Sequence, residues 1–481
     1  MTKTCLRLRS TREMRKRTWI CRRGRRPQKR RTSAMLRPER ITAARELLSV
    51  TQADLAATAG VTQAMVSMVE KHRRDFTPVL ADAFASGLGL PVEFFAVPSA
   101  GVPRDEVHFR KNATARVRDT TRTFRFFEEG FRVTEQLLDG SGYPRPLIPV
   151  VQDDAPVLSA ERIGEIADET RRALALSLDE PITNVTRALE RSGIAVAPIG
   201  FTDEALPGHD GLAHTSGRGN ATLIGYISKS GDRDRFTIAH ELGHLVLHSY
   251  RRSDDPEWEA NQFAGAFLLP DAHAREFIEP DTTLGTLARV KASWGISIAA
   301  LVTRGEAVGV LSKDRTSTLF RQIASRGWRT QEPVEVRPET PRLLFRLLQT
   351  EYGESPHSNR AIEHDLALPA LFLRALAPAP ATGRDLRPVV VPEWQKDGIG
   401  REMLRLAREI APTVLHAPCH QRSEDGEQFV RATDREQACD GRCGDACREP
   451  VAEDEPDDVR PSGPCSSLVR GSGRAGGGIA P

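Results

Sequence analysis

The chain has 481 residues, too many for one ordinary core, so about three folded units are expected. Its 68 Lys and Arg against 65 Asp and Glu leave a net charge of only +3, so any basic surface for an acidic partner has to be local. No run reaches the roughly 18 apolar residues of a membrane span. All seven cysteines lie before residue 22 or after residue 418, which excludes a disulfide framework from the middle of the chain and points to a reducing, cytoplasmic setting.

Residues 1–34 are crowded with Arg and Lys but lack the apolar run of a secretory signal. They read as a disordered tail or a mis-assigned extension ahead of Met35, with a nucleic-acid arm or an organelle-targeting peptide as alternatives. From Arg37 onward Ile41, Ala44, Leu47 and Leu48 recur at helical spacing. Short helices are then predicted over 52–58 and 63–71, joined by the turn Ala59-Gly60-Val61, with Thr62 as N-cap of the second. Two more fit 78–87 and 92–96.

This succession, carried by Thr51-Gln52-Ala53-Asp54-Leu55-Ala56, Ala59-Gly60-Val61-Thr62-Gln63 and Val66-Ser67-Met68-Val69-Glu70, resembles the phage-repressor, or XRE, class of helix-turn-helix domains. The resemblance implies a double-stranded DNA operator as partner. It places Gln52 on a phosphate and Gln63, Ala64 and Ser67 before base edges in the major groove, with Thr62 at the start of that helix and Arg73 and Arg74 against the DNA backbone. Val61, Val66 and Val69 would be core. Where the family usually has glycine after the recognition helix this chain has His72, which must tolerate or avoid a left-handed cap. The plainer alternative is a small helical bundle used for protein contact.

A linker is expected at 98–103, followed by a long amphipathic stretch over 107–138 in which Phe124, Phe126, Phe127 and Phe131 make an aromatic stripe. Such a stripe is core or a dimer seam, so a homodimer is carried as one option. The Pro-, Gly- and Asp-rich run 140–156 reads as a boundary. Helices fit 160–176 and 182–192; residues 193–199 and 222–227 have strand composition, and 211–214 is a candidate third strand. The result is an α+β unit whose strand edge could hold an extended peptide.

The most informative stretch, Arg235-Phe236-Thr237-Ile238-Ala239-His240-Glu241-Leu242-Gly243-His244-Leu245-Val246-Leu247-His248, follows at once. On a helix, His240 and His244 point to one side and can share a metal, with Glu241 beside its open position. A hydrolytic zinc wants a third protein ligand and leaves a fourth position for water. The next predicted helix, 256–270, is the expected supplier. His248 lies a further turn along the same face and reads as a packing or supporting residue, since a fourth protein ligand would close the site. No spacing argument recruits His209 or His214.

His240 to His248, the run-in from Arg233, the segment from Glu259 to Ala264 and the stop Leu268-Leu269-Pro270 together resemble the ImmA/IrrE family of metallo-endopeptidases, over roughly 159–270. Members often carry a repressor-type helix-turn-helix in front. The resemblance implies His240, His244 and Glu259 as Zn2+ ligands, Glu241 as general base, and a protein substrate such as another repressor. Beyond it, 271–373 reads as helices, and Trp294-Gly295-Ile296-Ser297 and Gly327-Trp328-Arg329 continue the similarity. The Ala/Pro run 375–381 marks a further boundary. The remainder reads as disordered, although His416, Cys419, His420, Cys439, Cys443, Cys447 and Cys465 could knot around a metal at a spacing unlike common zinc modules.

The expected architecture is multidomain and mainly α: a basic extension (1–34), an all-α helix-turn-helix domain (35–98), a helical linker (99–158), an α+β zincin-like metallopeptidase domain (159–275), a C-terminal helical region (276–378) and a tail (379–481). The expected function is a DNA-binding transcriptional regulator fused to a zinc endopeptidase that cleaves a regulatory protein. The alternatives are a non-catalytic transcription factor that senses through the peptidase-like fold, and an antitoxin-like interaction protein.

Overall fold

The computed structural model describes residues 35–104, 117–146, 148–153, 155–200, 210–217 and 221–380. The expectations for 1–34, for 105–116, for His209 and for the cysteine-bearing tail lie outside the described residues.

Four helices open the fold: α1 (Glu39–Leu48), α2 (Gln52–Ala59), α3 (Gln63–Glu70) and α4 (Pro78–Leu88), closed by a single 3-10 turn at Val92–Phe95 where a helix is expected. Their starts are chemically marked. The Thr51, Thr62 and Thr77 hydroxyls accept the backbone N–H groups of Asp54, Met65 and Leu80, and Asp54 returns the bond to Thr51 as a capping box. His72 adopts the left-handed conformation, with φ of 54°, so it tolerates the cap that glycine usually takes.

A 22-residue helix, α5 (Val117–Leu138), follows. Of the two expectations for its aromatic stripe, core or dimer seam, the burial agrees with the first: Phe124, Phe126, Phe127 and Phe131 are all buried inside this chain. It continues to α6 (Ala160–Ala173), α7 (Val185–Arg191), the strands β1 (Ala195–Pro198), β2 (Gly211–Thr215) and β3 (Thr222–Tyr226), then α8 (Gly231–Leu247) and α9 (Pro256–Leu268). The short helices α10 (Asp271–Phe277), α11 (Leu284–Trp294), α12 (Ile298–Ala307), α13 (Lys313–Ser325), α14 (Leu343–Tyr352), α15 (Ala361–Leu366) and α16 (Ala370–Leu376) complete the described fold. Among the described residues no helix is long and apolar enough to cross a membrane.

The sheet has order β1-β3-β2, with β1 parallel and β2 antiparallel to β3. Side chains alternate across it. Ala195, Ala197 and Leu223 join one core with α1–α5 and α14–α16, whereas Val196, Ile224 and Tyr226 join a second with α6–α13. The C-terminal helices therefore divide: α10–α13 belong with α8 and α9, and α14–α16 cover the opposite face of the sheet beside α5. Each fully buried Phe or Leu in these cores contributes roughly 1.5–3 kcal/mol.

A buried ion cluster ties the first four helices to α5. Arg40, fully buried in α1, reaches Glu129 and the carbonyl of Phe94, while Arg132 bonds to the same carboxylate and to the carbonyl of Leu366. Burial by itself would raise the Glu129 carboxyl; the guanidiniums of Arg132 and Arg40 hold it below its ordinary value.

Candidate metal centre

Helices α8 and α9 build the site. Asp232 and Asp234 lie in the first turn of α8, where negative charge complements the helix dipole, and the helix is buried around nearly its whole circumference. In α9, Asp255 caps the start by accepting the N–H of Trp258, and Pro256 occupies the first turn. Gly243 lets the two helices touch: a Cβ there would lie 3.3 Å from the Ala260 backbone and 3.1 Å from the Phe263 ring. That close approach brings the polar faces together.

His240 and His244 meet as the spacing predicts, with Nε2 atoms 3.1 Å apart and both side chains almost fully buried. Glu257 straddles them, its two carboxylate oxygens each 3.5 Å from one Nε2. The donor atoms of these three residues all lie within 4.8 Å of one another. Burial by itself would raise the Glu257 carboxyl; the two imidazoles that it faces instead hold it well below the usual carboxylate range.

The donor set fits a zinc ion. Tetrahedral bonds of about 2.0–2.1 Å to nitrogen place two imidazole donors about 3.3 Å apart, close to the observed separation. On the other side of the ring, His240 Nδ1 is 3.1 Å from Asn261 Oδ1, which can only accept, so the proton sits on Nδ1 and the Nε2 lone pair points inward. Glu257 Oε2 is buried without a hydrogen-bond partner, as expected of an atom aimed at a cation.

Glu259, the expected third ligand, is placed elsewhere. It is fully buried and held in a bidentate pair by Arg251, with both N···O distances 2.7 Å; it also accepts the N–H of Leu158 at 2.6 Å and lies 2.8 Å from His248 Nε2. Burial would raise its carboxyl, but Arg251, Leu158 and His248 bring it down to about 2. The correction follows from helix geometry: two residues along α9 turn the side chain by about 200°, so Glu257 and Glu259 cannot share a target. Glu257 was missed. Its signal was the pair Glu257 and Asn261, four residues apart and hence on one face, both of which meet the histidines.

Glu241 is 2% exposed and lies against edge strand β2. A Cβ on Gly211 would come within 2.7 Å of its Oε1, so only glycine leaves the carboxylate its place. Beside the site is a cleft of about 570 Å3 that reaches it through Thr237 and Asn261 and is also walled by Arg233, Trp258, Ser297 and Phe320. His214 sits on β2 with its ring against that of Phe131.

On the helix-turn-helix face, Thr62, Gln63, Ala64, Arg73 and Arg74 are exposed and Gln52 and Ser67 are half-buried. Gln63 donates to Gln52 Oε1 at 2.7 Å and Gln52 donates to Glu70, which also takes a two-pronged bond from Arg45. Val66 and Val69 are buried and Val61 half-buried, as a core-facing side requires.

Comparison with known families agrees with this layout. The model described as a helix-turn-helix matches residues 41–95, and the peptidase M78 model, described as an IrrE N-terminal-like domain, matches residues 189–305. No curated protein matches the chain. The chain is a fusion of an XRE-type helix-turn-helix domain with an ImmA/IrrE-type domain.

Proposed function

We propose that this protein is a cytoplasmic, DNA-binding transcriptional regulator whose ImmA/IrrE-type domain is a zinc-dependent endopeptidase acting on a regulatory protein, with a repressor as the candidate substrate. The observation that carries the reading is the convergence of His240 Nε2, His244 Nε2 and the Glu257 carboxylate beside a buried Glu241. His240, His244 and Glu257 would hold the ion. When bound, zinc supplies Lewis acidity, acidifying water and polarising a carbonyl.

The chain's own residues supply the rest. Glu241, adjacent to His240 and pressed against Gly211, takes a proton from the attacking water on its carboxylate and returns it to the leaving amine. The outer edge of β2 pairs with no other strand among the described residues, so an extended peptide can lie along it with backbone hydrogen bonds. On the helix-turn-helix face, Gln63, Ala64 and Ser67 face base edges, while Gln52, Thr62, Arg73 and Arg74 meet the DNA backbone.

The test uses zinc-loaded protein incubated with the repressors of its own genome. Wild type cuts one of them; Glu241→Gln keeps its zinc and loses cleavage by at least about 10²–10⁴-fold. Zinc-loaded wild type that cuts none would leave the non-catalytic sensor as the better reading.

A further inference from the structure

Glu259 and His248 are both nearly inaccessible and neither belongs to the three-residue cluster, yet together they touch it. His248 Nδ1 lies 3.0 Å from His244 Nδ1, and His248 Nε2 lies 2.8 Å from Glu259 Oε2. We propose that Arg251, Glu259 and His248 form a positioning strut that fixes the tautomer and orientation of His244 and thereby sets how tightly this chain holds its metal. The inference rests on the metal reading of the site.

Proton bookkeeping along the strut allows one arrangement. A metal on His244 Nε2 requires the proton of that ring to sit on Nδ1. That N–H donates to the lone pair of His248 Nδ1, which forces the proton of His248 onto Nε2. The Glu259 carboxylate, which can only accept, stands there to receive it. Each donor has one acceptor, and the chain of bonds runs from carboxylate to metal ligand without a break. His240 reaches the same tautomer through a single neutral amide, Asn261.

The strut is anchored at its far end. Arg251 grips both Glu259 oxygens and also donates from Nε to the carbonyl of Ala155, and Glu259 Oε1 receives the Leu158 N–H. Residues 155–158 belong to the connector that leads from α5 into α6, and Val151 of the same connector donates its N–H to the Val246 carbonyl on the metal helix. A carboxylate held by four bonds cannot swing, so neither can His248, and His244 meets a fixed acceptor.

The test measures zinc affinity by competition with a chromophoric chelator, together with the visible spectrum of the cobalt-substituted protein. His248→Phe keeps an aromatic ring in place and removes the acceptor; it weakens zinc binding by about 10–100-fold and alters the cobalt bands. His248→Asn puts an oxygen near the former Nδ1 position and recovers most of that loss. If the phenylalanine variant does not fold without metal, His248→Leu replaces it. Equal affinity in all variants overturns the proposal, and so does equal loss in the Asn and Phe variants, which would signify packing alone. Wild type that takes up no zinc would instead sink the metal reading itself.

Discussion

Two polar networks stand on pairs of packed helices in this molecule, one on α2 and α3 and one between α8 and α9. In the first, exposed Gln63 bonds to half-buried Gln52, which bonds to Glu70 and through it to Arg45. Water can replace the outer partners, so these glutamines can exchange their bonds for bonds to another surface at little cost. In the second, Arg251, Glu259, His248, His244 and His240 are buried, and each bond has a fixed direction. The difference teaches how each region is built: the helix-turn-helix face keeps its polar groups available, while the α8–α9 face spends them on holding geometry.

The sharpest way to break this contrast is to remove Glu259. Glu259→Ala leaves the Arg251 guanidinium buried without its carboxylate, and chemical denaturation should register a loss of about 3–5 kcal/mol. A loss below 1 kcal/mol would mean that the buried network is as exchangeable as the surface one. Next in size is Gly211→Ala. Its methyl group would collide with Glu241 Oε1 and displace the proposed base, so kcat/KM should fall by up to about 10²-fold while zinc affinity stays unchanged. An unchanged rate would remove Glu241 from its role.

The smallest effect is expected on the other network. Gln63→Ala should change folding stability by less than about 0.5 kcal/mol. In operator binding the same variant should lose about 1–3 kcal/mol of discrimination at one base pair, measured at fixed salt. Loss of stability without loss of discrimination would reverse the assignment of that face.

Much of this was legible in the sequence. The helix start at Thr62 announces itself through its capping side chain, and the i, i+4 histidines of α8 fix a shared direction through local geometry alone. Legibility failed where tertiary contact decides. Two glutamates separated by one residue in α9 look equivalent in sequence. Arg251 and the Leu158 N–H recruit one of them into a buried ion pair, and the approach of α8 at Gly243 delivers the other to the histidines. In the same way, the aromatic stripe of α5 fits a seam or a core equally well, and only the alternation of the sheet between two cores settles its place.

The central claim is that Glu257, with His240 and His244, makes this a metal site. Zinc affinity of Glu257→Ala set against wild type tests it most directly, because the side chain is 39% exposed and its removal leaves the packing of α9 intact. The account predicts one tightly held zinc in wild type and affinity weakened by more than about 100-fold in the variant, with the apo fold unchanged. A variant that holds zinc as tightly as wild type would contradict it.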